Sequence, residues 1–351
     1  MKSRLLTGLC LSATLALAAG LNMPAGKVTL KSAGALAFGP NGILFVGDSV
    51  GASIVALDVD DHNSGPAGTL EIKGINEKIA AMLGTAADQI LVQDVAVNPI
   101  SHNVYISVSR GRGADAVPVI LRATPAGKLS EVSLDNIKNA SVALPDSPTA
   151  DRQRVETITS LKYADGRVFV AGLSNEEFSS SLRSIPFPFT AADKGTGIEI
   201  WHGSHGRFET QAPVRTFVPY EINHKTSILA AYTCTPLVTI PVSELKSGAK
   251  VKGTTIAELG NRNKPLDMIV YTKGGRHYIL MANSSRGVMK LSGENLETYA
   301  PITRQTEVTG VPYETIAGLK GVQHLDKYDD ANALVLMGEG ASLDLRTVPL
   351  P

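Results

Sequence analysis

The chain is expected to fold as an all-β, six-bladed β-propeller, and two observations point there. A strand, a tight turn, a second strand, a polar crossing and a third strand recur as one unit along the whole chain. The turns inside those units carry Gly, Asn or Asp where a sharp reversal needs them. Six copies can be read: "GALAFGPNGILFVGDSVGASIVALDV" from Gly34, "DVAVNPISHNVYISVSRGRGADAVPVILRATPAGKLSEVSL" from Asp94, "TITSLKYADGRVFVAGLSNE" from Thr157, "HKTSILAAYTCTPLVTIPVSEL" from His224, "PLDMIVYTKGGRHYILMANSSRGVMKL" from Pro265 and "VQHLDKYDDANALVLMGEGASLDLRTV" from Val322. Such a unit cannot cover both its faces alone, so radial stacking is the economical solution. A β-sandwich also uses short alternating strands but leaves the recurrence unexplained. A seventh unit within 299–318 is the other alternative. The segment "GKVTLKS" (26–32) is expected to supply the outer strand of the last blade and so close the ring. Apolar residues at helical spacing in "GINEKIAAMLGTAADQI" (74–90) predict a short helix between blades one and two.

The N-terminus "MKSRLLTGLCLSATLALAAGLNM" has Lys2 and Arg4 ahead of an apolar run, with small residues at Ala16, Ala18 and Gly20. This reads as a secretory signal over 1–20, followed by a single propeller domain over 21–351. The expected location is periplasmic or secreted, with no transmembrane anchor. The 33 basic and 33 acidic residues balance, and without Lys2 and Arg4 the remainder sits near −2. That balance and the absence of long runs of one sign exclude a nucleic-acid footprint and a polybasic membrane patch. No P-loop, dinucleotide fingerprint, CxxC pair or zinc-protease motif is present, which argues against ATPases, Rossmann enzymes and haem attachment.

At "AFGPNGILFVGDS" the chain resembles the NHL and SMP-30/gluconolactonase-like group of propellers, whose units share a strand, a "PDG"-type turn and a "LYVAD"-type strand. The resemblance implies a ligand site on the face carrying the second-to-third and blade-to-blade loops. In gluconolactonase-like members, a divalent metal held by Glu, Asn and Asp at the central channel serves lactone or ester hydrolysis. The longer signatures that would carry those ligands over residue by residue are absent from this sequence.

Aligning the units on their turns places Asp48, Ser109, Gly172, Tyr232, Asn283 and Gly338 at the end of the second strand. Just beyond lie Arg110, Cys234, Ser285, Arg286 and Glu339, while Asp94, Glu156, Glu221, Asp267, Gln323 and His324 are read as starts of innermost strands. Asp48, Glu156 and Asn283 are hard oxygen donors suited to calcium or magnesium, and Glu156 and Asp267 are the expected catalytic carboxylates of a metal-dependent lactonase or esterase. Arg110, Tyr232, Cys234, Arg286 and His324 are expected to bind ligand.

Cys234 is the single cysteine outside the signal segment. Three readings stay open for it: a small buried hydrophobe, a copper or zinc ligand with His324 or another imidazole, or a reactive thiol beside Tyr232. His202 and His205 in "WHGSHGRFE" are spaced for a metal but are read as part of a hairpin turn between third and fourth strands. The segment 174–197 reads as a long crossing loop whose "SIPFPF", with Phe187 and Phe189, is the expected contact for a protein partner. The leading function is thus an exported propeller that binds a small molecule or a periplasmic protein. A metal-dependent hydrolase is the alternative, and a copper or redox accessory role through Cys234 is a weaker one.

Overall fold

The computed structural model describes residues 23–338 and 340–351; the export signal read at 1–20 and Glu339 lie outside them. Six sheets surround a central cavity. In chain order, their innermost strands are Leu36–Phe38, Ile90–Val97, Ser160–Ala164, Thr216–Ile222, Pro265–Lys273 and Val322–Lys327, and the blades are named one to six accordingly.

The sequence encodes the first reversal of four blades in the same way. Two consecutive residues with positive φ join the innermost strand to the second at Asn41-Gly42, Asp165-Gly166, Asn223-His224 and Gly274-Gly275. A left-handed pair matches the twist of the strands it joins, and Asn, Asp and Gly reach that region at least cost. The second strands end at Asp48, Arg110, Leu173, Ala231, Asn283 and Met337, within one residue of the positions expected. At one of these ends, Gly172 is required by close approach, because a Cβ there would lie 2.0 Å from the Thr157 carbonyl oxygen.

Blades do not follow one another around the ring in chain order. Each gap is filled by one apolar cluster, and the clusters join blades one with two, two with six, six with five, five with four, four with three, and three with one. Blades one and two have therefore exchanged the places that a sequential ring would give them. Two long-range pairings explain this. After blade one, Glu71–Ile72 pairs on the outer edge of blade six; after blade two, Ile137–Ala143 returns to pair with Ser53–Asp58 as the fourth strand of blade one.

The ring is thus closed from the N-terminal part of the chain, as expected, but by Glu71–Ile72 rather than 26–32. Ala25–Gly26 instead lies outside Ile137–Ala143 in blade one. The connecting segment is well anchored: Leu70 and Ile72 are buried, and Asp61 accepts hydrogen bonds from Asn98, Ser101, Asn103 and Tyr105 of blade two. Although burial opposes it, those donors hold the Asp61 carboxyl below its ordinary range. The expected helix is present at Ile75–Leu83, with Ile75 and Ile79 buried in the cluster between blades two and six and Gly84 at its left-handed end.

Two other expectations are corrected. Residues 299–318 make no seventh blade; they add Val308–Gly310 to the edge of blade four and Tyr313–Thr315 to that of blade five. The segment 174–197 is no open loop either, since Ser180–Pro186 is the third strand of blade three. Phe187 is buried and Phe189 half-buried, both rings packed on Phe45 of blade one at 4.8 and 5.9 Å between centroids. These aromatics fill the gap between blades one and three rather than offering a surface to a partner. The segment reads as exposed when 174–197 is taken for a long crossing loop, whereas its phenylalanines lie against a neighbour that is remote in sequence.

Candidate functional site

The central cavity has a volume of about 1230 Å³ and is lined mainly by the innermost strands. Three of those strands are irregular on its wall. The register shifts between Val92 and Asp94, between Pro265 and Met268, and between Val322 and His324. A bulge re-aims the side chain beside it and is over-represented next to active sites. Here the three bulges bring Asp94 of blade two, Asp267 of blade five and His324 of blade six together, with one potential ligand atom of each lying within 4.8 Å of the others.

His324 Nδ1 donates to Asp267 Oδ2 at 3.0 Å and lies 3.6 Å from Asp94 Oδ1. All three side chains are less than a fifth exposed. Burial and the charge of Asp267 push the Asp94 carboxyl up to about 7, against the pull of His324, the Leu36 N–H and Lys162. Burial works against a charged His324, but its hydrogen bond to Asp267, the charges of Asp267 and Asp94, and the Val92 backbone raise its pKa. Asp326, on the same wall, is raised by burial while Lys162 lowers it.

The carboxylates are also staples between blades. Asp94 Oδ2 accepts from Leu36 N of blade one at 2.7 Å, Asp326 Oδ2 from Val97 N of blade two at 2.8 Å, and Asp267 Oδ2 from Leu325 N of blade six at 3.0 Å. Asp267 Oδ1, by contrast, accepts no protein hydrogen bond among the described residues. Stapling thus uses one oxygen of Asp267 and leaves the other for a ligand.

The remaining expected site residues are placed as follows. Glu156 lies on the cavity wall, where its Oε1 accepts from Arg215 at 2.6 Å. Asp48 is buried in blade one with its carboxylate saturated by Lys31 N, Ser32 N, Ser32 Oγ and Gly51 N. Asn283 is buried in blade five, across the ring from blade one, and accepts from Asn263. The set Asp48, Glu156 and Asn283 is therefore not brought together as a metal site, because the polar ends of second strands are consumed in holding their own turns.

Arg110 reaches the Leu83 carbonyl at the end of the helix, and Arg286 covers Gly260 and donates to the Asn261 carbonyl. Tyr232 is buried, which raises its pKa. Glu221 sits at the far end of its innermost strand and is exposed, so it does not share the face of the other carboxylates.

Asp94, Lys162 and Asp326 were not assigned a role from sequence. A signal did exist for the first: "QDVAV" and "LDMIV" each set one Asp before three apolar residues of an innermost strand. Of the imidazoles considered for Cys234, it is those of His202 and His205 that lie beside it, not that of His324. The hairpin carrying these histidines joins a fourth strand, Thr196–His202, to a fifth, Arg207–Glu209.

These shifts give a pH dependence with a definite sign. Asp94 and Glu258 are both raised to about 7, from 3.8 and 4.5, and His324 is raised from 6.5. A raised folded pKa contributes stability that is complete below the unfolded value and is lost as pH rises through the folded one. The melting temperature is therefore expected to fall by several degrees as pH rises from about 4 to about 7 through the interval of the two carboxyls, with a further fall above about 6.5 as His324 deprotonates. Asp94→Asn should flatten that slope in thermal melts, and an unchanged slope would contradict the assignment.

No family model matches the chain, and no curated protein matches it. Among solved structures it is similar to the PQQ-bound aldose sugar dehydrogenase of Streptomyces coelicolor, with 12% identity over 93% of this chain and 96% of that one, at a TM-score of 0.34. It is likewise similar to the soluble aldose sugar dehydrogenase of Escherichia coli (13% identity, 94% and 99% covered, TM-score 0.32). Drosophila Plexin A in complex with Semaphorin 1b is a third (10% identity, 94% and 87% covered, TM-score 0.41). At these values the likenesses carry no argument about activity.

Proposed function

We propose that this protein binds a small polar molecule in its central cavity, gripped by Asp94, Asp267 and His324. The observation that carries the reading is the convergence of these side chains from three bulged innermost strands onto one wall of the cavity. Two carboxylates gathered at one imidazole nitrogen favour a ligand that brings hydrogen-bond donors or a positive charge, since either offsets the burial and the repulsion by Asp267 that raise Asp94. A mostly concave site with a few convergent polar groups of perturbed pKa is the usual form of a small-molecule site. The signal read at 1–20 supports an extracytoplasmic setting for that binding. No helix among the described residues is long and apolar enough to cross a membrane.

The same cluster supports a second reading, hydrolysis assisted by a divalent metal, because its potential ligand atoms lie within 4.8 Å of one another. Asp94, Asp267 and His324 would hold the ion, which would supply a Lewis acid and an activated water. That reading moves the metal from the expected Asp48, Glu156 and Asn283 to the cavity wall and keeps Asp267 in the site.

A thermal-shift panel of amines, sugars, organic acids, calcium and magnesium, run on the wild type and Asp267→Asn, tests both readings. A stabilising organic compound whose shift disappears in the variant supports binding. Stabilisation by calcium or magnesium alone, with turnover of simple lactones or aryl esters abolished by chelator, supports the hydrolase. No shift by any compound, or equal shifts in both proteins, contradicts the site.

A further inference from the structure

The geometry points to a second, separate site: a thiophilic transition-metal ion, zinc(II) or copper, held by His202, His205 and Cys234 between blades three and four. One potential ligand atom from each of these residues lies within 4.8 Å of the others. The two histidines come from the hairpin on the outer side of blade three and the cysteine from the crossing between the second and third strands of blade four.

The rings are already oriented for ligation. His202 Nδ1 donates to Glu209 Oε2 and His205 Nδ1 to Glu209 Oε1, both at 2.7 Å, so one carboxylate holds both imidazoles. With both Nδ1 atoms engaged, Nε2 is the nitrogen each ring has left for a metal. A carboxylate behind a histidine fixes its tautomer and raises its basicity, the usual outer support of a metal-bound imidazole. Arg207 Nε holds Glu209 in turn at 3.0 Å.

An independent observation points to an occupant. His202 is only 2% exposed, and its Nε2 is buried with no hydrogen-bond partner among the described residues. A buried imidazole nitrogen left without a partner is costly, and a metal ion removes the cost. Glu258, fully buried on the adjoining strand, shows the same pattern: Oε1 accepts from Gly203 N at 2.5 Å while Oε2 has no partner. His205 and Cys234 are partly open to solvent, which gives the ion a way in.

Two imidazoles and a thiolate select zinc or copper over calcium or magnesium, which take oxygen ligands. Binding requires Cys234 as thiolate, so one proton is released per ion from the thiol and no electron is transferred.

The test is to strip the protein with chelator and titrate it with zinc, then with copper and with cobalt as a spectroscopic probe, beside Cys234→Ser, His205→Ala, Glu209→Gln and Asp267→Asn. His202 is left intact because its burial makes a substitution there a folding risk. Wild type is expected to take one zinc or copper per chain, and cobalt to show a thiolate charge-transfer band that Cys234→Ser lacks. Affinity should fall on the order of 100-fold in Cys234→Ser and His205→Ala, and about 10–100-fold in Glu209→Gln. Asp267→Asn should bind as wild type does, which separates this site from the central cavity. No uptake by folded wild type, or uptake that Cys234→Ser and His205→Ala leave unchanged, would overturn the assignment.

Discussion

Asp146→Ala is expected to destabilise the folded chain by about 3–5 kcal/mol, because it strands a buried guanidinium. Asp146 lies on the stretch entering blade three and pairs with Arg183 of that blade's third strand, both side chains at most 2% exposed. Its other oxygen accepts from Gly195 N at 2.9 Å, so one carboxylate fixes both the strand and the loop behind it. Arg183 has nothing in reserve, since its Nε and Nη1 are buried without partners among the described residues. The cost of a broken buried pair is mostly the charge left behind. Replacing both partners, Asp146→Leu with Arg183→Met, should therefore recover most of the loss. Urea denaturation of the single and double variants checks this. A double variant as unstable as Asp146→Ala would show that the pair matters for geometry and not for charge.

His324→Ala is expected to have an effect of the same order, but one that depends on pH. Without the imidazole, Asp94 and Asp267 face each other with no cation between them and Asp94 is pushed further up. The raised His324 contributes its stability where it is charged and loses it as pH rises through its folded value, so the loss should be about 3–5 kcal/mol near pH 6 and smaller near pH 8. Denaturation at the two pH values reads the difference directly. A loss independent of pH would mean that His324 acts by packing and not as the cation between two carboxylates.

Much of the fold was legible because it is local. A pair such as Asp165-Gly166 announces both its turn and the two strands it joins, and the second strand of blade five was expected to end at Asn283, where it does. The ring order was not legible, because it depends on Ile137–Ala143 pairing with Ser53–Asp58, and nothing in either segment names the other. The candidate site was half legible. Asp267 and His324 were singled out as polar residues on innermost strands, but a bulge is a shift of register, and a register is a property of two strands. The same limit hid the partners of Cys234. Its neighbours in the chain name no ligand, whereas the two imidazoles beside it come from a hairpin of the adjoining blade. Phe187 and Phe189 show the converse error, as two apolar rings in a proline-bearing stretch proved to be core.

The cavity site is the central claim, and calorimetry tests it most directly. The strongest organic stabiliser from the thermal-shift panel would be titrated into wild type and into Asp267→Asn, whose amide can still accept from Leu325 N and keep the staple. One equivalent bound by wild type, with affinity at least about tenfold weaker in the variant, is the expected result; tenfold corresponds to about 1.4 kcal/mol, near the net worth of one hydrogen bond to a charged group. Equal affinity in the two proteins would place the ligand elsewhere and contradict the account.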